Sequence, residues 1–522
     1  MQLTRRILAL LLAALLAFCL CACGNDAAND SANANTTTGQ TEASAGSNEA
    51  STGSDSAAPE DFPGEPPAGG PDGTPPGEPP EGSPGGTPPG EPPEGGPGGT
   101  PPDGQGGPGG APGGSSSTDI DYSGAVEIIT ADTQSGQTYA SSTSDESALL
   151  ISTSEDVTVT DPTVTKSGSS DGGDNCNFYG LNAAVLVKDG STTTITGGTV
   201  TSDASGANGV FCYGGNGGQN GASGDGTTLI IRDTTIVTTG SGSGGIMTTG
   251  GGVTYAYDLD VTTSGQSSAA IRTDRGGGWV YVDGGTYTSN GLGSPAIYST
   301  AEIHVANATL ISNLSEGVCI EGLNSIELTN CDLTANNTKC NGNATFLDSI
   351  MIYQSMSGDA ASGTSCFTMT GGSLTSKNGH VFHVTNTSAV ITLENVAITN
   401  EDSDNILLSV CDDGWSGGSN NATLNASAQK LSGAIKVGDN STLTLSLTNG
   451  SSFEGYIDGK ITNAAGIVIS TEAGTVSVSL DDSSTWSLTS DSYVTEFDGN
   501  AANIISNGYT LYVNGVALNG TN

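Results

Sequence analysis

Positive charge is scarce in this chain of 522 residues: 12 Lys and Arg stand against 55 Asp and Glu, a net charge of −43. So acidic a surface repels phosphate backbones and anionic headgroups, which argues against nucleic acid or a lipid surface as a partner and favours cations. Aromatic residues make up 5% of the chain, too few for a thick globular core. Proline almost vanishes after residue 118, where only Pro162 and Pro295 remain. Beyond the N-terminus no stretch is apolar enough to span a bilayer. What is plentiful is Gly, 79 residues in all, with Ser, Thr, Asn, Asp and β-branched residues throughout. That mixture suits thin, repetitive β-structure.

The first 22 residues read as a leader. Arg5 and Arg6 precede the apolar run Ile7 to Leu20, which is short for a membrane span and right for a secretory signal. The run ends in Leu20-Cys21-Ala22-Cys23-Gly24. This resembles the bacterial lipobox, with Cys21 where a small or β-branched residue is more usual. The resemblance implies lipidation at Cys23 and a membrane contact through that lipid alone. Residues 23–118 read as a disordered linker, first Ser/Asn-rich and then Pro/Gly-rich. Nineteen of the 21 prolines lie between Pro59 and Pro112, and Thr74-Pro75-Pro76-Gly77-Glu78-Pro79-Pro80 returns at Thr87. Pro-Pro pairs favour extended polyproline II and Glu makes the segment self-repel, which suits a spacer that lifts a domain off a membrane.

From residue 119 the sequence turns periodic. One pattern recurs: apolar, any residue, Asp/Asn/Gly, two variable positions, apolar. It runs from Val159-Thr160-Asp161-Pro162-Thr163-Val164 to Leu393-Glu394-Asn395-Val396-Ala397-Ile398, with first positions at 159, 195, 231, 256, 282, 305, 328, 369 and 393. Steps near 24 with occasional excesses are coils of a solenoid carrying loop insertions. The third slot is always a residue that tolerates a left-handed corner. A second strand per coil aligns on Val185, Val210, Ile246, Ile271, Ile297, Val318, Ile350, Val381 and Ile406. The expectation is an all-β fold, a right-handed parallel β-helix over 119–440. Further coils and a capping hairpin are expected over 441–522, the hairpin turning at Asn514-Gly515.

Together these features resemble the pectate-lyase-like, adhesin-like right-handed β-helix surface lipoproteins of Gram-positive bacteria. The resemblance implies an architecture and an extracellular, lipid-anchored location. It leaves function open, because this scaffold carries adhesins, lyases and hydrolases.

Outward positions beside the second strand set give candidate ligand-binding residues: Phe211, Tyr213, Arg272, Asp274, Tyr298, Glu321 and Tyr353. Aromatic rings stack on sugars, and Arg and carboxylates bind hydroxyls or uronates. The alternative is that long insertions pack over these residues. No catalytic constellation stands out. Arg272, Asp274 and Arg275 supply part of a lyase site, and Asp412-Asp413 and Asp481-Asp482 read as turn formers. His380 and His383 are three apart on a strand, hence expected on opposite faces, and His304 reads as a lone surface residue. No metal or cofactor is expected, with Ca²⁺ on Asp171, Asp174 and Asn175, or on Asp402, Asp404 and Asn405, left open. Seven cysteines follow the leader. The odd count argues against a disulfide framework, with one bridge among Cys331, Cys340 and Cys366 left open. The leading expectation is a non-catalytic adhesin or carbohydrate-binding protein whose partner is a glycan or a cell-surface receptor. A polysaccharide lyase or glycoside hydrolase, or a structural fibre, are the alternatives.

Overall fold

A computed structural model describes residues 120–217, 223–415 and 419–518. The leader, the lipidation site Cys23 and the linker to residue 118 lie outside the described residues.

The period-two alternation builds three parallel sheets, of 15, 14 and 10 strands, in which each strand pairs with its counterpart one coil away. Chain order visits the three sheets in turn, so one coil is three short strands and the fold is a parallel β-helix. Sheet 1 starts at Ser123–Ile128, sheet 2 at Asp132–Ser135 and sheet 3 at Thr138–Ser141. Inward Val, Ile and Leu stack from coil to coil into one continuous core. Backbone bonds between coils and this buried apolar column hold the solenoid together.

The recurring pattern lies at the corner between sheets 2 and 3. Its first positions stack in register, as Val159↔Ile195, Ile195↔Ile231 and onward to Met369↔Leu393. Its last positions do the same on sheet 3, from Val164↔Val200 to Leu374↔Ile398. Every third slot has positive φ: Asp161 at 48°, Asn330 at 51° and Gly284 at 77° are examples. A short polar side chain or Gly tolerates this left-handed turn, and a larger one resists it.

Two features of the second strand set differ from the expected alignment. Ile350 pairs with Phe382 rather than Val381, and Phe382 pairs with Leu408 rather than Ile406. Val381 and Phe382 both join the core, as do Leu407 and Leu408, which breaks the strict alternation at these coils. For the same reason His380 and His383 do not part to opposite faces. Both rings place Nδ1 2.7 Å from the Ser409 hydroxyl.

Sheet 3 ends at Ala397–Asn400. Later coils carry two long strands, such as Lys430–Val437 in sheet 1 and Ser441–Thr448 in sheet 2. Leu447 pairs with Leu480, and Phe453 stacks on Trp486 with ring centroids 5.5 Å apart. The hairpin Leu511–Val513 with Val516–Leu518 turns at Asn514-Gly515, both at positive φ. It pairs with Ser492–Val494 and buries Leu511 against the core. No disulfide links the seven cysteines after the leader. Cys331 sits in the core, Cys340 beside Phe346 in the insertion and Cys366 on sheet 2 paired with Ser325, all as free thiols, which corrects the bridge left open among them.

Candidate functional site

The outer face of sheet 1 carries the residues singled out from the sequence. In the observed register its outward row runs Leu186, Phe211, Met247, Arg272, Tyr298, Cys319, Met351 and His383. So many large apolar groups need cover, and the insertions supply it. Phe178 and Tyr179, in and just after the short helix Asp174–Phe178, pack on Leu186, Phe211, Tyr213 and Met247. Ala344 and Trp415, from two later insertions, pack on Tyr298, Cys319, Met351 and Tyr353.

All seven candidate residues are therefore buried: Phe211, Tyr213, Arg272, Asp274, Tyr298, Glu321 and Tyr353. The structure does bring several of them together. Arg272 pairs with Asp274 at 2.6 Å, and Arg275 reaches Asp359 at the same distance. Burial pushes the Asp274 carboxyl up to about 7 in spite of the Arg272 guanidinium. Glu321 accepts hydrogen bonds from the Tyr298 hydroxyl at 2.5 Å and the Tyr353 hydroxyl at 3.2 Å, and Ser355 closes on its other oxygen. Burial raises Glu321 as well. These groups satisfy one another beneath a lid of insertions, which is how buried polar groups stabilise a fold.

The loops left open for Ca²⁺ hold Asp171, Asp174 and Asn175, and Asp402, Asp404 and Asn405. Asp402 accepts the backbone N–H groups of Asp404 and Gly379, and Asp174 opens the short helix.

Sheet 2 offers a different surface. Its strands Gly252–Tyr257, Gly278–Asp283, Glu302–Ala306 and Ser325–Thr329 alternate apolar-in and aromatic- or charged-out. One outward row aligns Val253, Trp279, Glu302, Ser325 and Cys366. The next aligns Tyr255, Tyr281, His304, Glu327 and Thr368. Four aromatic rings thus meet on two adjacent coils. Trp279 and Tyr281 lie 6.0 Å apart and nearly parallel at 8°, Tyr255 meets Trp279 edge-on at 5.2 Å, and Tyr257 meets Tyr281 at 6.2 Å. Arg232 caps the Tyr257 ring at 4.3 Å. Among the described residues no insertion covers these rings: Trp279, Tyr257 and Tyr281 are partly exposed, and only Tyr255 is buried.

His304 is not a lone residue. Its ring packs 5.7 Å from Trp279, Nε2 lies 2.7 Å from Glu302 and Nδ1 3.1 Å from Glu327. Burial alone lowers its pKa, but the hydrogen bonds it donates to the two carboxylates outweigh that and raise it to about 9. The bond to His304 holds both Glu302 and Glu327 low. At neutral pH the trio is an imidazolium between two carboxylates. Neither acid is poised as a proton donor, which a hydrolase pair needs.

Beside Trp279 and Glu302 runs an open groove of about 370 Å³, lined by Gly277, Gly278, Leu323, Asn324, Ser325, Thr364 and Cys366 among others. Its floor is sheet 2 and one wall is the exposed Leu323.

The sequence reading missed this surface. The signal was present in Tyr255-Ala256-Tyr257 and Trp279-Val280-Tyr281, aromatics two apart on strands one coil apart. Among the described residues, no group of three or more His, Cys, Asp and Glu is arranged to hold a metal. No family model, curated protein or solved structure matches this chain.

Proposed function

We propose that the protein is a non-catalytic carbohydrate-binding adhesin, held by a lipid on Cys23 at the outer face of the cell membrane. The observation that carries this reading is the uncovered aromatic surface of Tyr257, Trp279 and Tyr281, running into the groove at Glu302 and Ser325. Sugar rings present C–H faces to aromatic groups and hydroxyls to carboxylates and amides. Glu302, Glu327, Asn324 and Arg232 supply the polar groups at the margins of the rings. The two outward rows run along the solenoid axis, so the matching ligand is an extended chain whose sugars meet successive coils. Acidic pairs that stay ionised beside His304 favour binding over bond cleavage.

The test is retention of the full chain on a panel of immobilised polysaccharides, with products assayed for new reducing or unsaturated ends. Retention without product is expected. Trp279→Ala with Tyr281→Ala lowers affinity by about tenfold or more, while Tyr298→Phe, beneath the insertions, leaves it unchanged. Product formation, or equal retention of the double variant, overturns the reading.

A further inference from the structure

The groove beside Trp279 does not end at Thr364. That residue also lines a second open groove, of about 530 Å³, whose walls include Gln354, Ser355, Met356, Asn386, Thr387 and Ser388. The two grooves lie end to end along the edge of sheet 2. Glu302, Ser325 and Cys366 are partners on successive coils, and Thr364 starts the strand that holds Cys366. Thr364 in turn pairs with Ser388 one coil further on. From the coil of Gly278 to that of Ser388 the trough crosses four coil steps, on the order of 20 Å at the strand spacing of a sheet.

The apolar part of this trough is unusual. Between residues 130 and 460, the large hydrophobic side chains that stand exposed among the described residues are Leu323, at 52%, and Met356, at 58%. Leu323 lines the first groove and Met356 the second. Single exposed apolar side chains are ordinary, yet both of these fall on one trough that begins beside the uncovered aromatic rings. They offer contact to the C–H faces of further sugars.

The polar part is neutral. Among the described residues that line the second groove none is charged, and the first has Glu302 alone. The nearby cations point elsewhere. Arg275, two residues before Gly277, pairs with Asp359 at 2.6 Å and lies 4.2 Å from the Phe178 ring. Arg232 ends its strand, Thr228–Arg232, at the side of sheet 2 away from the trough, over Tyr257. A uronate, sulfate or sialic acid carboxylate would therefore meet no counter-charge in the trough, while Glu302 and the neighbouring Glu327 repel it. Amides and hydroxyls both donate and accept, as sugar hydroxyls do. The two amides are held in place beforehand. Asn386 Nδ2 donates to the Gln354 carbonyl at 2.7 Å, and Gln354 Nε2 donates to the carbonyls of Ser355 and Ala360, each at 3.3 Å. Fixed side chains lose little freedom when a ligand arrives.

We propose, on the glycan reading above, that the ligand is an uncharged polysaccharide that occupies both grooves. The aromatic rings hold one end of the bound stretch, and Thr364, Gln354, Asn386 and Ser388 hold the other. Acidic glycans are excluded by charge.

The experiment offers the full chain cellulose, xylan and mannan as neutral polymers and polygalacturonate and alginate as acidic ones. The retained polymer is then compared with its own carboxymethylated form, and its oligosaccharides are titrated by calorimetry. Retention is expected on neutral polymers alone, and carboxymethylation should weaken it about tenfold or more. Affinity should rise about tenfold or more from tetrasaccharide to octasaccharide, as the chain reaches the second groove. Thr364→Val with Ser388→Ala removes hydroxyls at the junction and should cut that gain to about threefold or less. Thr364 is exposed and Ser388 half-buried, so the coils stay intact. Met356→Ser, at a fully surface position, serves as a second variant with the same expected effect. Retention on the acidic polymers, equal retention of the carboxymethylated form, or an unchanged length gain in both variants overturns the proposal and leaves the glycan reading standing. Retention on no polymer at all removes both.

Discussion

His304 shows how a residue's neighbours decide its chemistry. In sequence it is one imidazole on a strand. In the fold, Glu302 two residues away and Glu327 one coil away both reach it. Its pKa rises to about 9 from an ordinary value of about 6.5. A histidine raised in the folded state stabilises fully below its unfolded pKa, and the gain is lost as pH rises through its folded value. Stability contributed by this trio should therefore be complete below pH of about 6.5 and fade up to about 9. Thermal unfolding from pH 6 to 10 tests this: His304→Gln should flatten the decline of wild type across that window. A parallel decline in both proteins counts against it. The corner residues make the opposite point. Asp161, Asn307 and Asn330 were legible as corner formers because left-handed φ restricts residue choice regardless of surroundings.

At the level of strands and insertions, close stacking leaves no room at certain corners. Gly240, Gly265 and Gly291 follow the sheet 3 strands of successive coils. A Cβ on Gly265 would sit 1.8 Å from the Gly240 carbonyl oxygen, and one on Gly291 would sit 1.7 Å from that of Gly265. Gly265→Ala should therefore force neighbouring coils apart and lower stability by about 1–3 kcal/mol. Chemical unfolding, with hydrogen exchange over Ile236–Tyr287, measures it. An unchanged midpoint and unchanged exchange contradict the tight stacking. Insertions were visible in the sequence only as excess spacing, such as the step of 41 between Leu328 and Met369. That Phe178 and Tyr179, and later Ala344 and Trp415, fold onto sheet 1 was not visible. Phe211, Tyr298 and Met351 are outward on their strands yet buried, and alternation cannot tell an outward residue under a loop from one in water.

For the solenoid as a unit, each coil contacts only its neighbours, so the last coil needs a cap. The hairpin at Leu511–Leu518 pairs with Ser492–Val494, places Leu511 in the core and packs Val513 and Leu518 against it. Removal of residues 509–522 should expose that apolar edge, lower Tm and produce concentration-dependent association. Light scattering across a dilution series reads the outcome, and a truncated chain that stays monomeric and equally stable rules out a capping role. The chain's charge of −43 opposes association of the intact protein and concentrates cations around it.

The sequence by itself determined the parallel β-helix, its corners and its C-terminal hairpin. These follow from rules that act over two to six residues, namely alternation, left-handed turns and the Asn-Gly turn, repeated at a fixed period. Register at Val381 and Ile406 escaped it, because two consecutive core residues at each place shift the pairing by one or two residues without changing composition. Which face meets solvent was decided only by the tertiary structure. Insertions cover the aromatic residues of sheet 1, while among the described residues Tyr257, Trp279 and Tyr281 of sheet 2 stay partly exposed, and that choice depends on where distant loops pack. Glu316 and Asp348 lie on neighbouring coils for a similar reason: stacking brings residues 32 positions apart to one edge, a distance the local code does not span.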